Sequence, residues 1–163
     1  MDRLWSPWRY SYIQEGAPAD RCIFCTIAQS DQDAQNFVLY RGQRNLVLLN
    51  LYPYTSGHLM IAPYEHVDTL EAAQPETLDE MIRLARASEK HLRAVYRPAG
   101  INLGMNIGEA AGAGVACHIH MHVLPRWPGD ANFLSVIGET RVLPESLQTT
   151  YEKLRQSFQL ASA

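Results

Sequence analysis

Three histidines alternate with apolar residues at His118-Ile119-His120-Met121-His122, half of the six histidines in this 163-residue chain. Successive side chains of an extended strand point to opposite faces. The spacing therefore predicts that His118, His120 and His122 share one surface, while Ile119, Met121 and Val123 turn into a core. Packing gives little reason to line up three imidazoles, but two chemistries do. A metal ion can take two or three of them, as in three-histidine zinc sites. Alternatively, one imidazole attacks an electrophile while its neighbours donate to oxygens and to the leaving group. No Asp or Glu stands within the segment; the nearest are Glu109 and Asp130. This favours nucleophilic catalysis, with a metal completed by a ligand from elsewhere in the chain as the alternative.

Directly before the histidines runs Asn106-Ile-Gly108-Glu-Ala-Ala-Gly112-Ala-Gly114. Glycines there would let backbone N–H groups approach a phosphate closely. Cys22-x-x-Cys25 has metal-ligand spacing; the redox alternative expects a βαβ context that the sequence does not offer. Three cysteines make a poor disulfide framework, which fits a reducing compartment. Cys117 reads as a small buried thiol without a role, and His91 as a surface residue of a helix. Arg126 and Trp127 could meet a distal phosphate or a base, and Tyr52, Pro53 and Tyr54 could line a nucleotide pocket.

These residues need a scaffold. Phe37-Val38-Leu39-Tyr40 and Leu46-Val47-Leu48-Leu49 read as a β-hairpin. Strands are predicted at 58–62, 101–105 and 118–124. A long helix starts at Pro75, a favourable first-turn residue. Leu78, Met81, Ile82, Ala85, Leu92, Val95 and Tyr96 form its apolar stripe, and Pro98 and Gly100 end it. A last helix covers 144–160. Strands, one long helix, further strands and a closing helix predict an α+β fold with a largely antiparallel five-stranded sheet. Residues 1–20 read as an irregular arm, 21–127 as the domain bearing the site, and 128–163 as a C-terminal extension packed on it.

Composition sets outer limits. With 47% hydrophobic and 19% charged residues, the chain can build an ordinary globular core. A net charge of −3 provides no basic field for nucleic acid, so an anionic substrate must be held by local donors. No apolar run nears the ~20 residues of a membrane span, and the N-terminus lacks the apolar segment of a signal peptide. The expectation is a cytoplasmic protein with neither membrane nor nucleic-acid partners.

Taken together, the residues resemble the histidine triad (HIT) family, whose signature alternates three histidines with apolar residues. Here it reads His118-Ile-His120-Met-His122-Val-Leu124. Cys22-Ile-Phe-Cys25, Asn50 eight residues before His58, Gly57-His58-Leu-Met-Ile-Ala-Pro63, His66 and Asn106 agree with it. Pro125-Arg126-Trp127-x-Gly129-Asp130-x-Asn132-Phe133 and the N-terminal Trp-Ser-Pro-Trp-Arg resemble a bacterial branch likened to diadenosine tetraphosphate (Ap4A) phosphorylases and hydrolases.

The resemblance implies a HIT-like fold and a nucleotidyl hydrolase or transferase acting on an AMP-containing nucleotide, with His120 as nucleophile. The His118 carbonyl would hold Nδ1–H of His120. His122 would donate to a phosphate oxygen or the leaving group, His58 would complete that polar network, and Asn50 would contact the ribose. Asn106, Gly112, Gly114 and Val115 would cradle phosphate. At Val115 many members carry a hydroxyl or amide side chain, so the backbone must act there. The resemblance also implies a structural zinc held by Cys22, Cys25, His66 and His118, no organic cofactor, and a homodimer. Hydrolysis of adenosine phosphoramidates, a metal-dependent hydrolase and a non-catalytic nucleotide sensor are the alternatives.

Overall fold

The computed structural model describes residues 22–130 and 145–160. The expected arm at 1–20, Asn132, Phe133 and Pro144 lie outside the described residues. Five strands form one sheet: β1 (Val38–Arg41), β2 (Asn45–Leu49), β3 (Leu59–Pro63), β4 (Gly100–Met105) and β5 (Met121–Arg126). Their order is β1-β2-β3-β5-β4, and every neighbouring pair is antiparallel. Helices α1 (Ile23–Ala28), α2 (Pro75–Tyr96) and α3 (Leu147–Leu160) cover the sheet. The α+β class with a five-stranded antiparallel sheet is as the sequence predicts.

Side-chain alternation divides the buried residues into two sets. Val47, Leu49, Leu59, Ile61, Ile119 and Val123 pack with Met81, Leu84, Ala85 and Leu92 of α2 and with Tyr151, Leu154 and Phe158 of α3. The opposite face carries Leu46, Leu48, Met60 and Ala62, which pack against Phe24 and Ile27 of α1. His122 lies opposite Met60 in the β3–β5 ladder, so the histidines occupy the α1 face.

Two polar clamps fix the hairpin. Glu80 of α2 accepts the N–H groups of Gln43 (2.8 Å) and Arg44 (2.8 Å) and the Asn45 amide (2.9 Å). Arg41 donates to the carbonyls of Ala28, Ile27 and Ser30, satisfying the C-terminal end of α1. Helix α2 ends at Tyr96 because Arg97 turns left-handed (φ 47°), directly ahead of Pro98. Ser146 opens α3, accepting the Thr149 N–H at 3.2 Å.

The structure corrects several expectations. The last strand begins at Met121 rather than His118, because Ile119 N–H bonds to Val67 O (2.8 Å) instead of extending the ladder past Ile61. Ile82 is not core: it is 60% exposed, one step off the stripe that Leu84 completes. His91 is not a surface residue. It is buried under α3, with Nδ1 2.8 Å from Ser157 Oγ and its ring stacked on Phe158. Cys117 is exposed rather than buried, standing in the turn before the histidines. Helix α1 is an element the sequence reading did not foresee. Among the described residues, no helix is long and apolar enough to cross a membrane.

Candidate active site

The entry into β5 and the start of β3 bring four histidines together. His118, His120, His122 and His58 are all buried. Phe24 of α1 lies against two of them, with ring centroids 5.2 Å from His118 and 4.9 Å from His120. His120 and His122 meet edge to face at 5.0 Å, and His122 and His58 are also 5.0 Å apart.

Hydrogen bonds assign a proton to each ring. His120 Nδ1 lies 2.9 Å from the His118 carbonyl oxygen. That oxygen only accepts, so Nδ1 carries the hydrogen and Nε2 keeps its lone pair. A second chain starts at the Tyr54 backbone, whose N–H donates to His58 Nδ1 at 3.1 Å. His58 therefore carries its hydrogen on Nε2, which donates to His122 Nδ1 at 2.9 Å. His122 is left with N–H at Nε2. Two rings 5.0 Å apart thus hold opposite tautomers: one offers a lone pair at Nε2 and the other a proton.

Burial keeps these rings neutral. It pushes the His122 pKa down to about 4, aided by the neighbouring His120. Burial also lowers His120, against the His118 carbonyl bond, which pulls the other way. An imidazole that stays unprotonated at neutral pH is what nucleophilic attack requires.

His118 faces elsewhere. Its Nε2–H donates to Pro63 O at 3.0 Å, and its Nδ1 lies 3.2 Å from Cys22 Sγ and 3.6 Å from Cys25 Sγ. His66 Nδ1 is 3.3 Å from Cys25 Sγ. The four ligand atoms of Cys22, Cys25, His66 and His118 all lie within 4.8 Å of one another. A tetrahedral zinc with bonds of ~2.3 Å to sulfur and ~2.0 Å to nitrogen would separate S from N by about 3.5 Å, which these distances fit. The donor set fits zinc as well, and the Pro63 carbonyl orients the His118 ring from behind. Four protein ligands leave no open position, so such an ion would be structural. This arrangement disfavours a metal held by the three alternating histidines: His118 gives Nε2–H to Pro63 O and turns Nδ1 to the two sulfurs, leaving neither nitrogen for an ion shared with His120 and His122.

Asn50, at the end of β2, sits beside His58, with Nδ2 3.4 Å from its Nδ1, and accepts the Tyr52 N–H at 2.9 Å. Asn106 Nδ2 lies 3.5 Å from Gly112 O. The glycines shape that loop: Gly108 (φ 82°) and Gly112 (φ 85°) bracket a 3-10 turn at Glu109–Ala111. Val115 packs against the α1 cluster, anchoring the loop's far end, and Gly114 is exposed. Arg126 is held by Asp130 (2.7 and 2.8 Å) and Asn102 (2.8 Å), and Trp127 stands edge-on to Tyr96.

Three contributors escaped the sequence reading. The Tyr54 N–H and the Pro63 carbonyl are backbone groups, which residue type does not announce. Phe24 was visible only as the apolar residue inside the cysteine pair.

Comparison with known proteins adds independent findings. A family model described as HIT domain matches residues 31–129. An AP-4-A phosphorylase of Mycobacterium tuberculosis is 39% identical over 159 residues, covering 92% of this chain and 80% of the relative. The crystal structure of a Zn-bound histidine triad family protein from Mycobacterium smegmatis superposes with a TM-score of 0.70 at 31% identity, covering 86% of this chain and 96% of that one. A HIT family protein of Bacillus anthracis superposes with a TM-score of 0.60 at 27% identity, covering 88% and 96%.

Proposed function

The chain belongs to the HIT domain family, and from that premise we propose that it cleaves dinucleoside polyphosphates such as Ap4A at the α-phosphate through a nucleotidyl-His120 intermediate. The observation that carries this reading is the pair of opposite tautomers at His120 and His122. The family and the phosphorylase relative support an enzyme, a nucleotide hydrolase or phosphorylase.

In the first step the Nε2 lone pair of His120 forms a bond to the α-phosphorus as the bond from phosphorus to the bridging oxygen breaks. The departing oxygen keeps that electron pair and accepts a hydrogen bond from the Nε2–H of His122, while His58 supports the His122 ring from behind. In the second step water or inorganic phosphate attacks the same phosphorus. The P–N bond breaks, its electrons return to His120 Nε2, and any proton on the attacking oxygen passes to solvent. Asn50 would bind ribose hydroxyls; Asn106 and the backbone N–H groups of Gly112, Gly114 and Val115 would face phosphate oxygens. Fixed donors around the transferring group are the main expected source of rate.

Zinc held by Cys22, Cys25, His66 and His118 would tie α1 to the entry of β5. Thiols in a metal-binding arrangement suit a reducing, cytoplasmic compartment. Strand β4 is a sheet edge with Leu103 52% exposed, which favours a homodimer joined through β4. The Nε2–H of His122 would equally face the nitrogen of an amine leaving group, so adenosine phosphoramidates form a second candidate substrate class.

The test is incubation with Ap4A, with and without inorganic phosphate, followed by product identification. ADP plus ATP only with phosphate means phosphorolysis; AMP plus ATP without phosphate means hydrolysis; two ADP would place the cleavage away from the α-phosphorus and overturn the proposal. His120→Ala should fold and lose turnover on every substrate, and retained turnover would exclude the nucleotidyl-His120 route.

A further inference from the structure

The turn ahead of His58 is enclosed from behind. Gly57 adopts φ +80°, and a Cβ there would come within 3.1 Å of Leu92, 3.2 Å of Pro125 and 3.2 Å of Tyr96 Cε2. The Tyr96 ring therefore lies directly against the backbone that leads into His58. The same turn holds His58 N–H on Thr55 O (3.2 Å), and Thr55 Oγ1 donates to Pro125 O (3.2 Å). It also presents the Tyr54 N–H that fixes the His58 tautomer.

Tyr96 is itself held from outside the segment that the family model matches, which ends at residue 129. Its hydroxyl donates to the Glu145 carboxylate, which also accepts from Thr150 Oγ1 (2.8 Å) and pairs with Lys153 of α3. Lys153 additionally stands over the Tyr96 ring, 5.7 Å from its centroid. Burial and the Glu145 bond push the Tyr96 hydroxyl pKa up, so it remains a donor.

We propose that Glu145 and Tyr96 form a positioning pair: the C-terminal extension presses the Tyr96 ring onto Gly57 and so aligns the Tyr54–His58–His122 chain that aims the His122 Nε2–H at the leaving oxygen. This rests on the reading of His122 as hydrogen-bond donor to the leaving oxygen. The physical argument is one of tolerance. A shift of ~1 Å in a reacting group can cost about 10²-fold in rate, and the turn before His58 is held by packing and the two hydrogen bonds through Thr55 rather than by a regular ladder. A loosened turn leaves the nucleophile untouched, because His120 hangs on the His118 carbonyl. It degrades only the His122 contact to the leaving oxygen.

That selectivity provides the experiment. The chain is assayed with two aryl esters of AMP, p-nitrophenyl, whose phenolate departs unaided, and phenyl, whose more basic oxygen depends on a hydrogen-bond donor as it leaves. Tyr96→Phe keeps the ring but drops its bond to Glu145, Glu145→Ala removes the anchor, and Glu145→Gln retains an acceptor. For Tyr96→Phe and Glu145→Ala, kcat on the phenyl ester should fall about tenfold, part of the 10²–10³ that one donor to a developing oxyanion supplies. The p-nitrophenyl rate should stay within about twofold, and Glu145→Gln should regain most of the loss seen with Ala. Equal losses on both esters would mean a general structural role, and no loss on either would mean no role; both overturn the proposal. His122→Ala, run in parallel, separates the failures. If it slows the phenyl ester selectively while Tyr96→Phe and Glu145→Ala do not, the positioning pair alone falls. If it shows no selectivity, the donor reading falls and the pair falls with it.

Discussion

Phe24 is where stability, the Cys/His cluster and His120 meet, which makes its removal informative. It is 2% exposed, packs on Leu46, Leu48, Met60 and Ala62, and walls both His118 and His120. Phe24→Ala removes a fully buried ring at a cost of about 3–5 kcal/mol. For a chain of this size that lowers Tm by roughly 6–20 °C at 2–4 °C per kcal/mol. Phe24→Leu refills most of the volume and should cost under ~1.5 kcal/mol, yet it takes the flat wall from the His120 ring. Given the steep dependence of rate on placement, kcat for Phe24→Leu should drop about tenfold with the fold intact. Urea unfolding measured with saturating zinc and again with chelator gives the stabilities without confusing them with metal loss. Phe24→Leu turning over at the wild-type rate would refute the idea that this ring positions the nucleophile. Phe24→Ala losing less than about 1 kcal/mol would refute the packing argument.

Further outcomes follow from other contacts. Zinc removal by chelation, or Cys25→Ser, should abolish the metal signal in elemental analysis and lower Tm while kcat per folded molecule changes only a few-fold; complete loss of kcat with the fold retained would make the metal catalytic. At Glu80, burial pushes the pKa up, but the Asn45 amide and the N–H groups of Gln43 and Arg44 outweigh it and hold the carboxyl below its ordinary 4.5. Its folded pKa is thus lower than its unfolded one, so its stabilisation is complete above about pH 4.5 and is lost as pH falls through the folded value. Glu80→Gln should cost about 1.5–3 kcal/mol at pH 7, and the cost should shrink in urea titrations below pH 4.5. Burial, with Lys90 beside it, lowers the His91 pKa from 6.5. Its contribution is therefore full above about pH 6.5 and declines with acid, so stability curves of His91→Gln should fall less steeply from pH 7 to 5 than the wild type's.

The features legible in the sequence are those set by local periodicity. The α2 stripe and the alternation at 118–122 follow from helix and strand geometry alone, and the structure turns Ile119 and Val123 into the α2–α3 core as that alternation requires. What was illegible depends on elements far away in sequence. His91 reads as surface on α2 considered singly and is buried only because α3 lies across it. Ile82 reads as core because it borders the stripe, yet α3 and the sheet do not reach it. The start of β5 was misplaced because periodicity continues through His118, whereas the ladder stops where Ile119 N–H finds Val67 O instead. Helix α1 spans six residues, too few for a periodic signal, and its end is secured by Arg41 from another element.

Alternation alone makes His118, His120 and His122 equivalent, and it cannot say which one reacts. The distinction lies in what the second nitrogen of each ring touches. At His118 a backbone carbonyl takes Nε2–H and turns Nδ1 toward two sulfurs. At His120 a carbonyl takes Nδ1–H and frees Nε2. At His122 another imidazole donates to Nδ1, which puts the remaining hydrogen on Nε2. Two of the three deciding groups are main-chain oxygens, and the third is a histidine that owes its own tautomer to a main-chain N–H. The division of labour among identical side chains is therefore written in the backbone path, through Pro63, His118 and the turn before His58. Substitutions that bend that path should exchange or blur these roles while every triad histidine remains in place.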